Sequence, residues 1–114
     1  MPAVSRNDLL EVLESWRLHR TIAKDVQAWA EARYGLDDWE PEDAVVNEIL
    51  ARLDALDMNL ITPDDVPAFL EALSVPANRS QEAIDGIDRH FETVNIESRQ
   101  MELHGDPLYA PFCE

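Results

Sequence analysis

The chain has 114 residues, 46% of them apolar and only three of them glycine, which fits one helical domain and argues against disorder and against turn-rich sandwiches or barrels. Twenty-four acidic residues against nine basic ones give a formal net charge of −15. A phosphate backbone or an anionic membrane would be repelled, and a cationic protein is the natural complement.

The one cysteine, Cys113, cannot form an internal disulfide, no charged stretch followed by an apolar one opens the chain, and no run of about 18 apolar residues could span a membrane. A soluble cytoplasmic protein is expected.

Ser5-Arg6-Asn7-Asp8 resembles a capping box and predicts a helix from Arg6, with Leu9, Val12, Leu13 and Trp16 on one face. The next apolar set, Ile22, Val26, Trp29 and Ala30, is rotated from the first by roughly a quarter turn at 100° per residue. That places a break near His19 and Arg20, with Thr21 as the N-cap of a second helix over residues 22–34 and Gly35 as its left-handed stop. The linker over 36–40 contains Asp37, Asp38 and Trp39. Pro41 suits the first position of a third helix, with Glu42 and Asp43 near the positive end of its dipole. This helix, over 41–56, carries Val45, Val46, Ile49, Leu50, Leu53 and Leu56 on one face, and it is the expected centre of the packing.

Thr62-Pro63-Asp64-Asp65 starts a fourth helix whose stripe is Val66, Phe69, Leu70 and Leu73. Pro67 lacks the donor for a regular first turn, so that turn is expected to be irregular, with Asp65 as the working cap. Ser80 caps a fifth helix over 81–94, with Ile84, Ile87, Phe91 and Val94 at helical spacing and Gly86 as its weak point. Residues 97–104 supply another helical turn or two before Gly105-Asp106-Pro107. The segment 105–114, with Leu108, Tyr109, Pro111 and Phe112, is an apolar tail expected to dock on the bundle, on a second copy or on a partner. The fold class is all-α: a small single-domain bundle of four to six helices.

Charge is unevenly spread. Residues 1–34 hold five acids and five bases, residues 35–65 hold ten acids and only Arg52, and residues 66–114 hold nine acids and three bases. Such a density of like charge opposes compaction, which suggests an acidic surface that steers a basic partner. The candidate partner-binding residues are Asp37, Asp38, Trp39, Glu40, Glu42, Asp43, Asp54, Asp57, Asp64 and Asp65, with Trp39 a partly exposed aromatic anchor. The plainer account of the same residues is a structural subunit whose solvated acidic face only confers solubility.

Other chemistry is thinly supplied. A calcium loop begun at Asp57 would place Ile61, Thr62 and Ala68 at positions 5, 6 and 12, where carboxylates and a glycine are needed. His19, His90, His104 and Cys113 lack metal-ligand spacing, and no cofactor is implied. Arg99-Gln100-Met101-Glu102-Leu103-His104 matches the loose Arg-x4-His pattern of small helical ribonucleases, which makes Arg99 and His104 the catalytic alternative.

The order of helix, short turn and helix over Leu9 to Gly35, followed by Asp37-Asp38 and a long central helix, resembles small helical immunity proteins of bacterial toxins, the colicin D type in particular. The resemblance covers about a third of the chain. It implies a non-enzymatic protein that neutralises a toxic nuclease by laying carboxylates over its basic substrate site. The segment from Thr62 onward and the tail Tyr109 to Cys113 have no counterpart in it.

Overall fold

The computed structural model describes residues 3–35 and 38–113. Among them are six α-helices: α1 (Arg6–Arg17), α2 (Ala23–Glu31), α3 (Ala44–Asp54), α4 (Val66–Ser74), α5 (Ser80–Glu92) and α6 (Ile96–Leu103). Two short strands, β1 (Ala3–Val4) and β2 (Glu40–Pro41), pair in parallel, with Ala3 opposite Glu40 and Val4 opposite Pro41. The protein is an all-α bundle with this small ladder at one edge.

α1 begins where its sequence signal places it. Ser5 Oγ accepts the Asp8 N–H and the Asp8 carboxylate accepts the Ser5 N–H, which satisfies two of the donors a helix N-terminus leaves free. Leu9, Leu13 and Trp16 are buried. His19, at φ 59°, closes the helix, with its N–H bonded to Trp16 O and the Arg20 N–H bonded to Ser15 O. That pair of bonds is a Schellman motif with histidine where glycine is usual. The break between α1 and α2 therefore falls at His19 and Arg20 as expected, but Ile22, not Thr21, is the N-cap of α2, and it makes no side-chain capping bond. Ile22 is accordingly 61% exposed instead of joining the core. α2 ends at Glu31, and Gly35 takes its left-handed conformation after a further turn.

Pro41 does not start α3. It lies in β2, an edge position where its missing N–H interrupts no ladder, and the Glu42 N–H completes the ladder on Val4 O. Asp43 is the actual N-cap, accepting the N–H groups of Val45 and Val46. From there Val45, Val46, Ile49, Leu50 and Leu53 are all buried, and α3 packs on α2, α4 and α5, the central role its pattern predicts.

The irregular start before α4 is a 3-10 turn over Pro63–Asp65, opened by Thr62, whose N–H is accepted by the Asp65 carboxylate. Asp65 is the residue before α4 yet makes no capping bond to it. Its carboxylate faces inward, as described below. Ser80 is likewise the first residue of α5 and not its cap, because a 3-10 turn over Ala77–Arg79 leads into the helix and Ser80 Oγ donates to Ala77 O. Asn95 caps α6. The tail docks on the bundle itself: Tyr109 is buried and its hydroxyl donates to Ile61 O at 2.5 Å. Burial, reinforced by the charge of Asp106, pushes that hydroxyl well above the ordinary tyrosine range, so it remains a donor.

Arg6 ties three helix ends together. Its Nε meets Asp43 at 2.7 Å, and Nη1 donates to the carbonyls of Leu73 and Val75 at the end of α4. A cation there opposes the negative end of the α4 dipole and satisfies carbonyls that the helix leaves free. Burial works against charge on Asp43, but the Arg6 hydrogen bond, the Val46 and Val45 amides and the Arg6 charge hold its carboxyl below the ordinary value of 3.8.

Because the folded carboxyl is the stronger acid, the stability that Asp43 contributes is complete above the unfolded value and is lost as pH falls through the folded one. Asp43→Asn keeps a capping oxygen and removes the charge. Urea denaturation near neutral pH should show Asp43→Ala losing about 1–3 kcal/mol and Asp43→Asn distinctly less. The gap between wild type and Asp43→Asn should narrow as pH is taken below 4, and a pH-independent gap would rule out the charge linkage.

Candidate functional site

The acidic segment does not form one patch. Asp37 lies outside the described residues. Asp38, Glu40 and Glu42 are exposed and follow one another along the extended stretch that includes β2. The Glu42 carboxylate accepts the Arg6 N–H at 2.6 Å, which fixes it at the N-terminus of α1. Asp43 is drawn inward by its cap and by Arg6. Asp54 and Asp57 belong to the other end of α3, roughly 16 Å away at 1.5 Å per residue. There Gln27 of α2 donates to Asp54 O and to the Asp57 carboxylate. Asp64 is exposed in the turn before α4. Both ends of α3 still fit beneath a partner footprint roughly 30 Å across, the width of a standard interface.

Trp39 is half-buried, and the reason lies at the end of α2 and in the turn after it. The Arg33 guanidinium stacks on Trp29 at 4.4 Å and on Trp39 at 4.8 Å from the ring centroids, while its Nη1 donates to Trp29 O. The indole is thus held on the bundle by a cation–π contact. The spacing of Trp29 and Arg33 by four residues, with Arg33 in the turn that follows α2, was the sequence signal for that contact.

Asp65 is not a surface residue. Its side chain is 0% exposed, and its two oxygens receive four donors. Arg99 Nη1 and Nη2 bind them in a fork at 2.6 and 2.7 Å, His90 Nε2 donates at 2.7 Å, and the Thr62 N–H at 2.9 Å. A carboxylate has about four lone-pair sites, so every one is used. Arg99 also donates to Leu60 O. The Asp65 hydrogen bond outweighs the burial of Arg99 and raises the guanidinium pKa further, so its charge is permanent.

This cluster also takes up one of the two residues of the catalytic alternative. Arg99 is 13% exposed and committed to Asp65, whereas His104 is exposed and its Nδ1 pairs with Met101 O. The two side chains are not directed at a common centre. Sequence reasoning found Arg99 but gave it the wrong neighbour, and it missed His90. The acid three residues after Thr62 was the available sign that Asp65 turns back toward the chain. Cys113 is half-buried against the core, with no base bonded to it among the described residues.

Comparison of the chain with protein-family models, with curated proteins and with solved structures finds no match.

Removing the acceptor of a buried, forked ion pair leaves a guanidinium uncompensated. Asp65→Ala should therefore lower the unfolding free energy by about 3–5 kcal/mol, and Asp65→Leu combined with Arg99→Met should recover part of that loss. Urea denaturation followed by circular dichroism measures both. A loss under about 1 kcal/mol for Asp65→Ala would show that the cluster is incidental to the fold.

Proposed function

We propose that the chain is a non-catalytic acidic protein-binding module, most concretely an immunity- or antitoxin-like inhibitor that covers a basic site of a partner toxin. The observation that carries this reading is how six of the nine cations are used. Arg6, Arg17, Arg52, Arg79 and Arg99 each pair with a carboxylate of the same chain, and Arg33 lies on indole rings. Asp38, Glu40, Asp64 and their neighbours therefore face solvent with little cancelling charge. Such a field accelerates encounter with a basic surface and repels nucleic acid and other acidic proteins.

The Asp38-to-Glu42 edge would make first contact, with Trp39 beside it as a ring already immobilised by Arg33, so little side-chain entropy is lost on docking. The commitment of Arg99 to Asp65 supports this reading over a ribonuclease built on Arg99 and His104.

Association of the labelled chain with the product of the neighbouring reading frame, and with a panel of basic nuclease domains, tests the proposal by stopped flow. The rate should fall steeply between roughly 20 and 200 mM salt. It should also drop severalfold at low salt in the double variant Asp38→Asn, Glu40→Gln, with the thermal midpoint unchanged. Association that ignores both salt and the variant would leave the acidic edge as a solubilising surface only.

A further inference from the structure

The five large apolar side chains that stand exposed among the described residues, Leu18, Ile22, Met58, Ile96 and Met101, belong to one end of the bundle. α1 runs antiparallel to α4, since Arg6 reaches the carbonyls of Leu73 and Val75 while α1 also packs on the turn over Pro63–Asp65 that precedes α4. The last turn of α1, and with it Leu18 and Ile22, therefore lies at the Asp65 end. Gln27 ties the first turns of α2 to the C-terminal end of α3, which places Met58 there too. His90 and Arg99 bring the end of α5 and the start of α6 onto the same Asp65 turn, and Ile96 and Met101 come with them. The Asp38-to-Glu42 edge, beside the N-terminus of α1, is at the opposite end, roughly 18 Å away along that helix.

This apolar end is divided by charge. The α1–α2 corner, residues 14–25, holds three bases and two acids in a chain of net charge −15. Arg17 is paired with Glu14, while Arg20 and Lys24, on either side of Ile22, enter no ion pair among the described residues. The outward side of α6 is the reverse. Glu97 and Met101 are exposed neighbours one turn apart, Glu102 follows, and the single base of the helix, Arg99, is committed to Asp65. Beside Met101, α6 and the tail leave a shallow depression of about 520 Å³, lined also by Ala110 and Cys113.

Exposed apolar side chains gathered in one place mark an interaction surface. An occupant that satisfies both halves of this one must be acidic where it meets the corner and basic where it meets α6. A second copy of the chain has that distribution. We propose that this end is a homodimer interface, in which a twofold axis lays the Leu18 and Ile22 corner of each copy against α6 of the other. Leu18 and Ile22 then enter the depression beside Met101, and Arg20 and Lys24 meet Glu97 and Glu102. Because both patches lie at one end, the twofold satisfies both at once and the assembly closes at two copies. A uniformly basic protein is repelled by the corner, and an anionic lipid surface by α6 and the net charge. The dimer leaves both Asp38-to-Glu42 edges free, so the inference goes beyond the module reading and does not depend on it.

Sedimentation velocity of the full chain from roughly 5 to 500 µM tests this at about 150 mM salt, where screening over about 8 Å removes most of the repulsion between two acidic copies. Wild type should shift from monomer to dimer across that range. Arg20→Glu with Lys24→Glu should remain monomeric, and so should Glu97→Lys with Glu102→Lys, because each reversal sets like charge on like at both contacts. An equimolar mixture of the two variants should recover the dimer, since the acidic corner of one then meets the basic α6 of the other, and the second contact is unaltered. Ile22→Asn supplies the N-cap side chain that α2 lacks, so it should weaken dimerisation at least about tenfold without lowering the thermal midpoint of the dilute monomer. A wild-type chain that stays monomeric throughout, a mixture that stays monomeric, or a dimer indifferent to Ile22→Asn overturns the proposal. So does a dimer that is lost in Asp38→Asn, Glu40→Gln, or a species that grows beyond two copies with concentration. Binding of phosphatidylserine vesicles by a monomeric wild type, abolished by Arg20→Glu, would make a lipid surface the occupant and overturn the partner assigned here.

Discussion

The C-terminal half of this protein depends on one buried carboxylate. Asp65 sits in the turn before α4, and the groups that satisfy it come from Thr62 in the same turn, His90 near the end of α5 and Arg99 in α6. Arg99 then reaches Leu60 O, and Tyr109 reaches Ile61 O one residue further on. A single turn of backbone therefore receives α5, α6 and the tail. An apolar surface would accept those elements in many registers. Hydrogen bonds to fixed acceptors accept them in one, since any other arrangement leaves a buried charge or carbonyl unpaired.

The same turn explains Leu60, whose φ of 53° is unusual for a branched side chain. The bonds from Leu60 N–H to Asp57 O and from Ile61 N–H to Leu56 O form a second Schellman closure after α3. The left-handed conformation of a non-glycine residue costs about 1–2 kcal/mol. Here it is offset by burial of the Leu60 side chain and by the carbonyl it turns toward Arg99. Arg6 plays the matching part at the opposite end, joining α1, Asp43 of α3 and the last carbonyls of α4. Two arginines with forked or multiple bonds thus fix the relative placement of the helices, a task that suits a guanidinium better than an ammonium group.

The apolar pattern of the sequence was enough to locate the helices and the buried face of α3, because helical period and burial are coupled through simple geometry. The capping box at Ser5 was readable for the same reason: it is local. The misreadings at Pro41 and Asp65 concern residues whose role is set by a distant partner, whereas those at Thr21 and Ser80 are shifts of a helix start by one residue. Pro41 looks like a helix start until β1 pairs beside it. Asp65 looks like a cap until Arg99, 34 positions later, takes its oxygens. Trp39 is partly exposed as expected, and what sequence did not show is Arg33 stacked on it. The acidic count was right as arithmetic, yet it could not separate Asp38 and Glu40, which face solvent, from Asp43 and Asp65, which hold the fold.

That separation bears on what the surface can do. A net charge of −15 works against a compact state, and the chain lessens the strain by placing carboxylates beside helix N-termini and its own arginines. Where a residue departs from local preference, an internal compensation can usually be found, as it can for Leu60. Gly86 has none. It lies within α5, where alanine would favour the helix by about 1 kcal/mol, and no backbone or core atom crowds the place where a side chain would stand. Its cost to the helix is therefore borne by the tertiary packing of the rest of α5, where Ala83 and Ile87 are buried.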